Sequence, residues 1–323
     1  MSFSSFKKDK LIFENWRRFV NEQEEEAPDT GQDSMEKLLG AGYSEFVKWL
    51  GGNIQDPKTL ALIAAGQKDG SPGDDRFGFE DGALAVAKLI PTQNEIDIDK
   101  SLAYPLVKDP SQLIEKIETD GPFTVVENII TFNGKYIIDG HHRWSTVYAC
   151  NKNAKITVTN ITIEGLDPLD ALKAVQMAIG AQTKKIPMQS VEGTNLLKVG
   201  ESDLKQWIAK NVPRKTSEAI YAAGEQIINK LKQGAGGAKA GINEEILSEI
   251  SKNRFHKFMI GQVLPRYLWS NVALMQKTSQ PVAGAGPRDF MPQTGGINWK
   301  EPLAKGQIDI KPPFASVRKK AAE

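Results

Sequence analysis

The chain has 323 residues, enough for one large domain or two ordinary ones, so it can bury a core without disulfide or metal staples. Hydrophobic residues make up 40% and charged residues 25%, the proportions of a globular protein, and no apolar run approaches the roughly 18 residues of a membrane span. The formal net charge of +1 hides a division: residues 201–323 hold 19 Lys/Arg against 11 Asp/Glu, which leaves 22 against 29 for residues 1–200. The basic half either meets phosphate or docks on the acidic half.

The opening Met1-Ser-Phe-Ser-Ser-Phe-Lys-Lys lacks the apolar stretch of a secretory signal, so a cytoplasmic protein is expected. Cys150, the single cysteine, has no intrachain partner, and three histidines are too few for a cysteine-rich zinc module. Leu11 to Val20 places Ile12, Trp16, Phe19 and Val20 at helical spacing, and Glu22 to Ser34 reads as a linker. Helices are expected from Ser34 to Leu50 and from Pro57 to Gln67, with a loop at 68–75. The segment 1–82 is therefore an N-terminal helical arm and linker.

From Leu84 the pattern changes to short runs rich in Val, Ile, Thr and aromatics. Strands are expected at Leu84–Ile90, Phe123–Val126, Ile129–Phe132, Tyr136–Ile138 and Ile156–Ile163. Asn133-Gly134 between two of them signals a two-residue hairpin. Pro110–Thr119 and His141–Cys150 read as helices within this core, which spans 83–165. A C-terminal helical region follows at 166–280, with helices at Pro168–Ala178, Asp203–Asn211, Thr216–Lys232 and Asn243–Ala273, the last kinked or ended by Pro265. Ile220, Ala223, Ile227 and Leu231 form the buried stripe of the third. Residues 281–323, rich in proline, read as an extended tail.

The chemistry concentrates where a strand meets a helix, in Tyr136-Ile-Ile-Asp139-Gly140-His141-His142-Arg143-Trp144. Free amides of a first helical turn and the helix macrodipole favour an anion, and Gly140 lets a phosphate approach the backbone. Arg143 adds a bidentate grip, and His141 and His142 add donors whose charge changes near neutral pH. The competing reading is a plain turn at Asp139-Gly140 with Arg143 paired to a carboxylate. Cys150 reads as a small buried apolar residue. Lys252, Arg254, His256 and Lys257 beside Phe255 and Phe258 form a basic and aromatic mixture of the kind that tracks a nucleic-acid backbone, or one that merely meets water. Arg288 in the tail either folds over the cleft or pairs with Asp289.

The stretch from Leu89 to about Ile163 resembles the ParB/sulfiredoxin superfamily. The resemblance rests on an ordered series: Ile90-Pro91, then Thr92-Gln-Asn-Glu-Ile-Asp-Ile-Asp99, the helix at Pro110–Thr119, Gly121-Pro-Phe-Thr-Val-Val-Glu127, a hairpin, and Ile138-Asp-Gly-His-His-Arg-Trp144. It implies an α/β fold with a ParB/sulfiredoxin-like mixed-sheet core, framed by the N-terminal extension and the C-terminal helical region, and a loop-to-helix element that holds nucleotide phosphates. Sulfiredoxins carry Gly-Cys-His-Arg here, whereas His141 stands at the cysteine position. Chromosome-partitioning ParB proteins carry Gly-Glu-Arg-Arg. The form in this chain is closest to that of ADP-dependent free serine kinases, which use a glutamate base from an earlier loop, and Glu95 matches that place.

The resemblance therefore implies a phosphotransferase or NTPase acting on ATP or ADP with Mg²⁺ and a hydroxyl acceptor. Glu95, His141 and His142 would be catalytic; Thr92, Asp139, Gly140, His141, His142 and Arg143 would bind the nucleotide, and Asp97 and Asp139 the metal. Phosphoryl transfer needs such a carboxylate to take the proton, with cations or amides to hold the spreading charge. The alternatives are a ParB-like DNA-binding protein or nuclease using the basic C-terminal half, and a non-enzymatic virion or assembly protein. The arm and the wrapping tail suggest the second; arm, core and tail together, with the opening Glu14-Asn-Trp-Arg-Arg18, are also similar to ParB-like proteins of large tailed bacteriophages, which would place the chain in the host cytoplasm.

Overall fold

The computed structural model describes residues 78–162, 167–183, 193–236, 252–285 and 297–304. The helices expected before residue 78, the loop at 68–75, Arg288 and most of the proline-rich tail lie outside the described residues. Within them the chain is mixed α/β, built on a five-stranded sheet. The strands are β1 (Gly78–Ala85), β2 (Ile90–Pro91), β3 (Ile129–Phe132), β4 (Tyr136–Asp139) and β5 (Lys155–Thr162), arranged in the order β1-β5-β3-β4-β2. β1 runs antiparallel to β5 and β3 antiparallel to β4, while β3 with β5 and β2 with β4 are parallel.

The hairpin forms at Asn133-Gly134, with φ +49° and +64°, but Phe132 pairs with Tyr136, so the connection is Asn133 to Lys135, one residue longer than expected. Two expected strands differ. The apolar run Leu84–Ile90 divides into the end of β1, a single tight helical turn at Val86–Lys88 and the start of β2. That turn carries the chain from one edge of the sheet to the other, and apolar periodicity alone does not distinguish a buried crossover from a strand. Phe123–Val126 forms no strand because Val126 has φ +68° and Glu127 N–H bonds back to Val125 O at 2.8 Å. A β-branched residue in that conformation is strained, and Val126 is also 95% exposed.

Alternation along the strands divides the buried residues between two faces. Ile129, Ile137, Ile156 and Val158 belong to the principal core. It is completed by α1 (Ile98–Ala103), α2 (Ser111–Glu118) and α3 (His141–Cys150). The alternate residues Ile130, Phe132, Ile138 and Ile161 are also buried, and α4 (Pro168–Thr183) packs on β4. All four residues of β3 are buried, as in a strand covered on both sides. α1 and the wide helical turn after it, Tyr104–Lys108, were not expected from the sequence.

The helical region continues the same core. α5 (Glu201–Asn211), α6 (Arg214–Ala222), α7 (Glu225–Gly234), α8 (Lys252–Phe258) and α9 (Leu264–Thr278) contribute Leu204, Ile220, Ile227, Leu231, Phe255 and Leu268 to the cluster that holds Trp144 and Ile137. A short helix, α10 (Lys300–Ala304), packs on α4. The single helix expected over Thr216–Lys232 is two, because Gly224 has φ +91° and starts a new helix. Of its expected stripe, Ile220, Ile227 and Leu231 are buried. Between α8 and α9 the chain widens over Met259–Val263, where Leu264 N–H reaches Met259 O. Pro265, which has no N–H to give, then sits in the first turn of α9.

Side chains of α9 complete the end of α3. Tyr267 Oη donates to Cys150 O at 2.6 Å and Asn271 Nδ2 to Ala149 O at 2.9 Å, satisfying carbonyls that a helix end leaves without partners. Burial pushes the Cys150 thiol up to about 12 and raises the Tyr267 hydroxyl as well. Both groups therefore keep their protons in the folded chain while the unfolded chain releases them. Stability from this pair is fully present below about pH 9 and falls as pH rises toward 12, at about 1.4 kcal/mol per pH unit for each group titrating. Denaturation midpoints measured from pH 8 to 12 are expected to show that decline, with a shallower slope for Cys150→Ala. Iodoacetamide should label Cys150 only after unfolding.

Candidate functional site

Gly140 joins β4 to α3 with φ +93°. A Cβ there would lie 2.5 Å from Ile129 Cγ2, so the close approach of β3 demands glycine as much as the dihedral does. Just before it, Thr131 pairs with Ile137 and Ile130 with Asp139, which leaves Ile138 as the extra residue of a bulge at the end of β4. Gly140, as the N-cap, has no side chain of its own to cap α3. Trp144 N–H makes the first intrahelical bond, to Gly140 O at 2.9 Å, and the amides of the preceding turn point out of the helix.

Arg143 is committed more deeply than expected. Its Nη1 donates to the carbonyls of Glu127 (3.1 Å) and Asn128 (3.2 Å), and its Nη2 donates to Asp139 Oδ2 at 3.2 Å. Glu127 Oε1 lies 3.2 Å from Nη1. The paired reading of Arg143 is thus the one realised, and the strained turn at Val126 delivers the Glu127 carbonyl and carboxylate to it. A bidentate phosphate grip by this guanidinium is corrected to partial availability. Its Nε–H has no acceptor among the described residues, and Nε lies 3.2 Å from the Cβ position of Gly140. Within this trio one guanidinium faces two carboxylates, those of Asp139 and Glu127.

The histidines act as struts. Thr92 N–H donates to His141 Nε2 and Asp97 N–H to His142 Nε2, both at 3.2 Å. A ring nitrogen that accepts from an amide carries no proton, so each imidazole bears its hydrogen on Nδ1. The expectation of two charge-changing donors facing an anion is corrected accordingly, since protonating either Nε2 would break its bond to the loop. Together they tie the segment Thr92–Asp97 to the first turn of α3. Thr92 is fully buried, and its hydroxyl donates to Ile137 O at 2.6 Å.

The two candidate carboxylates of that loop separate clearly. Asp97 is 5% exposed, and its Oδ1 accepts from Asp99 N–H at 2.8 Å as the N-cap of α1. It is a helix cap, a commitment of one carboxylate oxygen that competes with its expected service as a metal ligand. Glu95 is half-buried, and no hydrogen bond or ion pair engages its carboxylate among the described residues. Among these residues no group of three or more His, Cys, Asp or Glu side chains is arranged to hold a metal ion.

Three residues of the site escaped the sequence reading. Glu127 fell within the quoted motif but carried no assigned role. Gln93 Nε2 donates to the carbonyl of Glu95. Asn195 joins from a segment 101 positions beyond Asn94, and nothing in its own sequence surroundings marks it. The basic and aromatic mixture on α8 resolves differently. Phe255 is 2% exposed and stacks edge-on against Tyr221 at 5.2 Å, Phe258 packs on the core, and His256 Nδ1 meets Ser217 Oγ at 2.8 Å. Phe255 is thus part of the packing, while Phe258 is only partly buried.

No family model matches the chain, nor does any curated protein or solved structure. No helix among the described residues is long and apolar enough to cross a membrane.

Proposed function

We propose that the chain is a nucleotide-dependent phosphotransferase or NTPase of the ParB/sulfiredoxin type. In this reading it holds the phosphates of ATP or ADP at the first turn of α3, and Glu95 accepts the proton of an attacking hydroxyl. The observation that carries the reading is that His141 and His142, in the first turn of α3, tie that turn to the loop bearing Glu95, whose carboxylate has no hydrogen bond or ion pair among the described residues. Phosphoryl transfer asks for little more than these: amides and a dipole where charge spreads, and a base where the proton leaves.

Arg143 contributes its Nε–H beside Gly140 and orders Asp139 and Glu127. The two carboxylates of that trio fit a divalent cation arriving with the phosphates, and Asp139 with Glu127 would face it. Mg²⁺ bound there supplies charge neutralisation of the phosphate oxygens. The acceptor is a hydroxyl of a small molecule or a modified nucleobase, or water.

A melting-temperature screen of ATP, ADP and other nucleotides, with and without Mg²⁺, tests this directly. A nucleotide at one hundred times its Kd stabilises the fold by about 2.7 kcal/mol, a rise of several degrees. Absence of any shift at millimolar nucleotide overturns the reading. Binding of DNA that weakens steeply with added salt would favour the DNA-binding alternative instead.

A further inference from the structure

The loop that carries Glu95 belongs to no helix or strand, yet its backbone is held on both sides of that residue by one side chain. Asn195 Nδ2 donates to Asn94 O at 2.9 Å, and Asn195 Oδ1 accepts from Ile96 N–H at 3.1 Å. Asn94 O lies on the peptide group before the Glu95 Cα, and Ile96 N–H lies on the peptide group after it. Fixing both planes fixes φ and ψ of Glu95 and so the direction in which its side chain leaves the backbone. The amide orientation is settled by its surroundings. Oδ1 also accepts from Leu197 N–H at 3.0 Å, and only an oxygen serves two N–H donors while the nitrogen serves a carbonyl.

Asn195 is itself anchored. Leu196 N–H donates to Ile96 O at 2.6 Å and Ile98 N–H to Thr194 O at 3.0 Å, a short ladder between the two segments. Gln276 of α9 then donates from Nε2 to Leu196 O and Val199 O, at 2.9 Å and 3.0 Å. A chain of hydrogen bonds therefore runs from the C-terminal helical region to the peptide groups flanking Glu95.

We infer that Asn195 is the positioning residue for Glu95, fixing the carboxylate against the start of α3. This rests on the phosphotransfer reading above. Displacement of a catalytic group by an ångström or so costs on the order of 100-fold. Asn195→Ala is therefore expected to lower kcat by roughly 10- to 100-fold while the nucleotide KM stays within about twofold. In a Glu95→Gln background the same substitution should change the residual rate by less than about twofold, because a residue that acts only through Glu95 has nothing left to position. A merely structural role would depress both backgrounds alike.

Asn195→Asp retains acceptors for Ile96 and Leu197 but replaces the donor to Asn94 with a charged oxygen facing that carbonyl, so it decides the matter should the alanine variant not fold. It too should lose kcat at constant KM. Turnover by Asn195→Ala or Asn195→Asp at the wild-type kcat overturns the positioning role and leaves the function standing. Absence of turnover in the wild-type chain with every nucleotide tested overturns the function, and the positioning role with it.

Discussion

Gly140→Ala is expected to destabilise the fold by about 2–4 kcal/mol, combining the cost of a left-handed alanine with overpacking against a rigid neighbour. The new methyl would meet Ile129 Cγ2 at 2.5 Å and Ile129 Cβ at 2.8 Å. Ile129 is fully buried within β3, so it cannot swing aside as a surface side chain would. Gly134 supplies the control. It also has positive φ, +64°, but nothing lies within 4 Å of its Cβ position, so Gly134→Ala should cost only about 1 kcal/mol. Denaturant midpoints of the two variants measured side by side separate the terms. Equal losses would mean that β3 yields to the methyl, and that the tight approach at the start of α3 is unimportant.

Glu95→Gln should leave nucleotide binding within about twofold of wild type and reduce turnover by 10²- to 10⁴-fold, the usual contribution of a general base. The substitution keeps the size of the side chain and every backbone bond that holds the loop, and removes only the charge. Asp97→Asn, two residues away, is the informative comparison. Asn caps a helix about as well as Asp, so α1 should survive and turnover should persist. Wild-type turnover by Glu95→Gln would remove Glu95 from the mechanism, and loss of turnover in Asp97→Asn would reassign the role to the residue that the geometry sets aside. Single-turnover rates and equilibrium binding, measured separately, give the answer.

The parts of this fold legible in the sequence are those that short-range chemistry dictates. Asn133-Gly134 announces the hairpin because few residues other than glycine and asparagine tolerate both of its dihedrals, and Asp139-Gly140 ahead of an apolar helix announces the strand-to-helix corner. Gly224 was read through because glycine inside a periodic pattern is often tolerated, and only packing decides that the helix breaks there. β1 was missed for a different reason. It lies at the sheet edge with its middle residues exposed, so its sequence lacks the apolar signal of its partners. In the candidate site, residue types and order were readable, but their commitments were not. Whether Arg143 meets a ligand or Glu127 depends on a turn 16 residues away, and Asn195 reaches Asn94 across 101 positions.

The helix that begins at Gly140 ends against Tyr267 and Asn271, whose side chains take its last carbonyls. α9, which carries both of these residues, also supplies Gln276 to the segment that holds the backbone around Glu95. Position and register of the corner are therefore set by scaffolding more than one hundred residues downstream, and the segment that looks like a self-contained module in the sequence is half of a joint. Grafting residues 83–165 onto another carrier would transfer the vocabulary of the corner without the brace that gives it shape.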